Sequence, residues 1–85
     1  MVGLTPEQCR AARGLLDWTQ EDLAKRAGVS RSTVRDYEKG RHVLHRTSAA
    51  QIVLALEEGG AALIPADELG PGVRLLRGPA AAPDF

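Results

Sequence analysis

Aromatic side chains are scarce in this 85-residue chain, which has one Trp, one Tyr and one Phe. A short chain with few large rings buries little apolar area, so self-association is expected to support it. Cys9 is the single cysteine. It can close no internal disulfide and build no multi-cysteine zinc site, which points to a reduced, cytoplasmic setting. No apolar run approaches the ~20 residues that span a bilayer. The basic-then-apolar pattern of a secretory leader is missing as well. Net charge is zero, because 11 basic side chains meet 11 acidic ones. Taken alone, that balance argues against a polyanionic partner. The length allows one domain, and a hydrophobic fraction of 44% is ordinary for a globular one.

Catalytic patterns are missing too. There is no glycine-rich phosphate loop, no serine elbow and no paired-carboxylate constellation, so the chain is not expected to be an enzyme or to carry a cofactor. His42 and His45 have no third ligand near them in the sequence, and no metal site is expected. Cys9 falls on the apolar face of a helix, where an inert buried thiol is expected.

What is present is a charge that is unevenly spread. Residues 1–8 carry Glu7 alone. Residues 9–46 hold nine bases against five acids, a balance of +4, while residues 47–85 hold two bases against five acids, a balance of −3. A basic half followed by an acidic part fits one surface turned toward a polyanion, although scatter in so short a chain gives similar figures.

Helix punctuation is clear. Thr5, Pro6 and Gln8 form the start of a first helix with capping-box spacing. Cys9, Ala12, Leu15 and Leu16 follow on one face. Thr19 caps a second helix over 20–27, and Gly28 stands where a left-handed stop is wanted. Ser30 caps a third over 31–39, closed by Gly40. After a loop over 41–46, Thr47 or Ser48 starts a fourth helix that runs to about Glu58 and ends at Gly59-Gly60. Ala61 to Ile64 and Val73 to Leu76 predict two short strands around a turn-rich loop. Such a hairpin is marginal alone and must pack on the helices or pair with a second copy. The tail over 78–85 is expected to be disordered.

Residues 20–34 read as helix, short turn with Gly28, and helix. Ala24 is small enough for the second helix to approach, Gly28 permits positive φ, and Val29 and Val34 fill the wedge between the helices. That arrangement projects the second helix of the pair into a DNA major groove. Here the chain resembles the phage-repressor-like, Cro or XRE-type, helix-turn-helix family. The resemblance rests on Trp18-Thr19-Gln20-Glu21-Asp22-Leu23-Ala24, Ala27-Gly28-Val29-Ser30, Val34 and Tyr37-Glu38-Lys39-Gly40-Arg41. It implies a mainly α fold, a four- to five-helix lambda-repressor-like DNA-binding domain, with a short C-terminal β-hairpin here. The family often has a proline a few residues after the Gly40-Arg41 pair, whereas Leu44 stands nearby in this chain. The stretch from Leu63-Ile64-Pro65 to Gly70-Pro71-Gly72-Val73-Arg74-Leu75 resembles the tail of a small single-domain subgroup.

Residue roles follow. At ~100° per residue, Arg31, Ser32, Arg35, Asp36 and Lys39 share one arc of the third helix, opposite Val34 and Tyr37. Arg31, Ser32 and Arg35 are the expected base readers, because arginine grips guanine with two bonds and serine serves either sense. Asp36 can accept from a cytosine amine or hold Arg35 or Arg31 in place; the whole arc can also be a solvated charged face. Gln20, at a helix N-terminus, suits a phosphate, and the resemblance also puts it at the DNA backbone. Ser30, Lys39, Arg41, His42 and Arg46 are the remaining candidate phosphate contacts, with a solvated loop as the plainer reading for Arg41, His42 and Arg46. The resemblance implies a structural ion pair between Arg13 and Glu38, although Arg13 also comes within reach of phosphate. Trp18 is expected on the core, with base stacking as the lesser alternative.

The expected organisation is a DNA-binding domain over 1–60, a two-strand extension over 61–77 that serves dimerisation, and the tail over 78–85. The expected function is a sequence-specific transcriptional regulator, a repressor occupying a roughly palindromic operator on double-stranded DNA. Its homodimer would form through helix four and the C-terminal strands, in a bacterial or phage-type cytoplasm on the nucleoid. An antitoxin or adaptor that binds a protein such as a toxin is the alternative on the same fold.

Overall fold

The computed structural model describes residues 3–41 and 43–76. Four helices and two strands follow in order: α1 Pro6–Leu16, α2 Gln20–Ala27, α3 Arg31–Glu38, α4 Arg46–Gly59, β1 Ala61–Ile64 and β2 Gly72–Leu75. Among the described residues this is the four-helix end of the expected range. The call on residues 78–85, and that on His42, fall outside the described residues.

Local chemistry sets the helix starts. Thr5 accepts from the Gln8 backbone N–H and donates its own N–H to the Gln8 side chain, which closes a capping box at α1. Thr19 and Asp22 repeat the device at α2. Ser30 caps α3 through the N–H of Thr33. The start of α4 differs from expectation. It begins at Arg46, after His45, which makes no side-chain cap bond, so Thr47 and Ser48 lie inside the first turn. The ends differ slightly too. Lys39 forms the cap of α3 rather than its last residue, and Gly59 is helical, leaving Gly60 at φ 113° to stop α4. The second strand begins one residue early, at Gly72. Asp17 closes α1 in the left-handed region at φ 58°, a conformation usually left to glycine or asparagine.

The strands pair antiparallel, with Ala61 opposite Leu75 and Leu63 opposite Val73. The hairpin packs on α1 and α4, so one core serves helices and strands together. Cys9, Ala12, Leu23, Val34, Ile52, Leu56 and Ala61 are its fully enclosed members. Leu44 packs against this core and docks the loop that precedes α4. Gln8 ties the hairpin down: its side-chain amide donates to the Ile64 and Gly72 carbonyls at 2.9 and 3.0 Å.

Gly59 marks a close approach. A Cβ there would meet the Trp18 ring at 2.5 Å. The indole packs against the core, and the Arg26 guanidinium stacks on it 4.4 Å from the ring centroid. Gly59→Ala should therefore destabilise by about 1–3 kcal/mol through overpacking, although alanine is the better helix former. Urea denaturation followed by Trp18 fluorescence measures this; a variant as stable as the wild type would show that the indole yields.

Candidate nucleic-acid interface

The geometry of the site starts from a buried anchor. Glu38 is 3% exposed at the end of α3. Its carboxylate accepts from Arg13 Nε and Nη2, both at 2.7 Å, from Gln20 Nε2 at 3.0 Å and from the Cys9 thiol at 3.1 Å. Its carbonyl accepts from Arg10. Arg13 also donates to the Trp18 carbonyl at 3.0 Å. One carboxylate thus joins α1, α2 and α3. Burial pushes the Glu38 carboxyl up, but the bonds from Arg13, Gln20 and Cys9 outweigh it and hold the group below the usual carboxylate range. Burial, with the Glu38 bond and charge, pushes the Cys9 thiol far up, so it is unreactive at neutral pH. Tyr37, pushed up to about 12 by burial, donates its hydroxyl to the Leu4 carbonyl at 2.6 Å. That bond fixes the segment before α1 to α3.

With Val34, Tyr37 and Glu38 turned inward, the other side of α3 is presented to solvent. Arg31, Ser32 and Lys39 are exposed there, and the Arg35 side chain is 41% exposed. Arg35 Nε donates to Asp36 Oδ1 at 3.1 Å. Asp36 is 19% exposed and lines a groove of about 340 Å³ between α3 and the loop before α4, with Ser32, Thr33, Val43, Leu44, His45 and Ser48. Thr33, Val43 and Ser48 line this groove, although the sequence does not mark them as candidate contacts. Val43 is 97% exposed in a loop that carries no periodicity to reveal it.

The candidate phosphate contacts sit differently from one another. Gln20 opens α2, where it is the uncharged residue of a first turn that also holds Glu21 and Asp22. Its amide nitrogen donates to Glu38. The Ser30 hydroxyl is shared among the Thr33 N–H and the Ser32 and Thr33 hydroxyls. Arg41 is exposed just after α3. Arg46 opens α4 and lines a different, apolar groove along that helix. Arg13 points into the Glu38 network rather than toward solvent, with its side chain 18% exposed. Trp18 packs against the core. Among the described residues, no cluster of three metal-ligating side chains occurs, and no helix is long and apolar enough to cross a membrane.

A small helical core that presents one charged helix beside a glycine turn defines a DNA-binding module. A helix-turn-helix family model matches residues 10–58, more than half of the chain. The chain belongs to the helix-turn-helix family of Cro or XRE type, and is a DNA-binding regulator of that kind. No curated protein matches it in sequence.

Proposed function

We propose that the protein is a sequence-specific repressor that occupies a roughly palindromic operator as a homodimer. The supporting observation is the outward arc of α3, with Arg31, Ser32 and Arg35 carried on a helix whose inner side is locked by Val34, Tyr37 and Glu38. In this reading Arg31, Ser32 and Arg35 meet base edges, and Asp36 orients Arg35 through their 3.1 Å bond. Lys39 at the end of the arc, with Gln20, Ser30 and Arg41, meets phosphates. The two copies associate through α4 and the C-terminal strands, which spaces two half-sites by about one helical turn of DNA.

Selection of bound sites from random DNA, followed by sequencing, tests this directly. A two-fold symmetric motif is expected; recovery of no motif would sink the proposal. Arg35→Ala should then lose about 1–3 kcal/mol at one base position of each half-site. Lys39→Ala should weaken all sequences alike and lower the salt slope by about 1. Equal operator protection by Arg35→Ala and wild type in footprinting would remove Arg35 from the base readers.

A further inference from the structure

The outer side of α4 carries an apolar groove of about 460 Å³, walled by Leu4 and Leu44. From α4 it is lined by Arg46, Ala49, Ala50, Val53, Leu54 and Glu57. The opposite side of the helix, with Ile52, Ala55 and Leu56, is buried in the core. Leu54 is 55% exposed on the groove, more than an isolated monomer needs to leave open beside Ala50 and Val53.

This face is complementary to itself in reverse. Consider a second α4 laid antiparallel across the groove, with a two-fold axis between the levels of Gln51 and Ile52. Arg46 then faces Glu57 and Ala50 faces Val53, each pair occurring twice, while Ala49 and Leu54 lie along opposite edges of the contact, each on the same edge as its own copy. A basic end meets an acidic end about 16 Å along the helix, and the small Ala50 meets the larger Val53. Helical spacing alone makes the positions symmetric, but it does not make the side chains complementary. A parallel partner would set Arg46 against Arg46 and Glu57 against Glu57, at an electrostatic cost.

We propose that the groove is the seat of α4 from a second copy of this chain, in the antiparallel register centred between Gln51 and Ile52. The proposal rests on the homodimer reading above and narrows it to α4. It assigns Arg46, expected from the sequence at phosphate, to the partner's Glu57. A contact of one helix face lies at the low end of stable interface areas, so the free dimer is weak and the operator completes its assembly.

Disulfide trapping tests the register. Chains carrying Ala50→Cys are mixed with chains carrying Val53→Cys under mild oxidation. Cys9 is buried and does not compete. The mixed disulfide is expected to exceed either self-disulfide, since the proposed register sets 50 level with 53 and offsets like positions by about 4.5 Å along the helix. Sedimentation of Leu54→Glu should show the dimer weakened by about tenfold or more. Arg46→Glu with Glu57→Arg should restore much of what either change loses alone. Equal self- and mixed disulfides, or none, would overturn the register even if Leu54→Glu failed to fold. DNA binding is read separately by gel shift on a single half-site. Loss of DNA binding by the wild type would end the regulator reading while leaving the trapping result to stand or fall alone.

Discussion

Replacing Arg13 with Met is expected to cost about 3–5 kcal/mol of folding stability, a large share of what a domain this small possesses. The cause is the carboxylate left behind. Glu38 is 2% exposed at its side chain, and among the described residues Arg13 supplies the only cation hydrogen-bonded to its carboxylate. Without Arg13, Gln20 and the Cys9 thiol remain as neutral donors, which do not offset a buried charge. The Trp18 carbonyl loses a donor in the same step. A double variant, Arg13→Met with Glu38→Leu, removes both charges and should recover most of the loss. Urea denaturation of the two variants decides the matter: a double variant no better than the single one would mean that the ion pair is not what Arg13 contributes.

The pH dependence follows with a definite sign. The Glu38 carboxyl is lowered in the folded protein, so its contribution is present above the usual carboxylate range. It is lost as pH falls through the lowered folded value. In Arg13→Met the burial that raises the group is no longer opposed by the cation, so Glu38 takes up a proton at higher pH. The deficit of Arg13→Met should be largest near neutrality and shrink as the pH is lowered into the carboxylate range. A deficit constant with pH would point to lost packing of the arginine stem instead.

Arg13 and Glu38 also show what a sequence can and cannot tell. Their pairing across the chain came from family resemblance, since nothing in spacing alone brings residue 13 to residue 38. The caps at Thr5, Thr19 and Ser30 needed no resemblance, because each is decided by atoms within three residues. Thr47 and Ser48 look like caps, yet α4 starts at Arg46, once Leu44 has docked the preceding loop on the core. The arc of α3 was legible as a periodicity, as were the buried Val34 and Tyr37. The Arg26 contact with Trp18, the tight seat at Gly59 and the Tyr37 bond to Leu4 depend on how elements cross, and no local pattern encodes them. The zero net charge had argued against a polyanion. The folded chain shows why a total misleads: Arg31, Arg35 and Lys39 are gathered on one exposed face, whereas Arg13 and Glu38 neutralise each other inside.

Gln8 gives the second large effect. In the sequence it completes the α1 capping box; in the fold it is 2% exposed and is also the clasp of the hairpin. Gln8→Ala should cost about 2–4 kcal/mol, from one cap bond and two bonds to strand carbonyls, of roughly 1 kcal/mol each, plus the buried void. Gln8→Glu separates the two roles. Glutamate keeps the acceptor for the Thr5 N–H and suits the positive end of α1, so capping alone predicts a neutral or stabilised variant. The clasp predicts the reverse, because a buried carboxylate would face the Ile64 and Gly72 carbonyls with no proton to donate. We expect Gln8→Glu to be at least as destabilised as Gln8→Ala near neutral pH and to regain stability in acid, where its carboxyl can donate to one of them. Hydrogen exchange places the damage: amides of β1 and β2 should lose protection before those of α2 and α3, since the two strands depend on α1 and α4 for support. Uniform loss across all elements would mean that the hairpin and the helices unfold as one unit and that Gln8 is no special clasp. Selective release would show that the strands can detach while the helix-turn-helix stays folded.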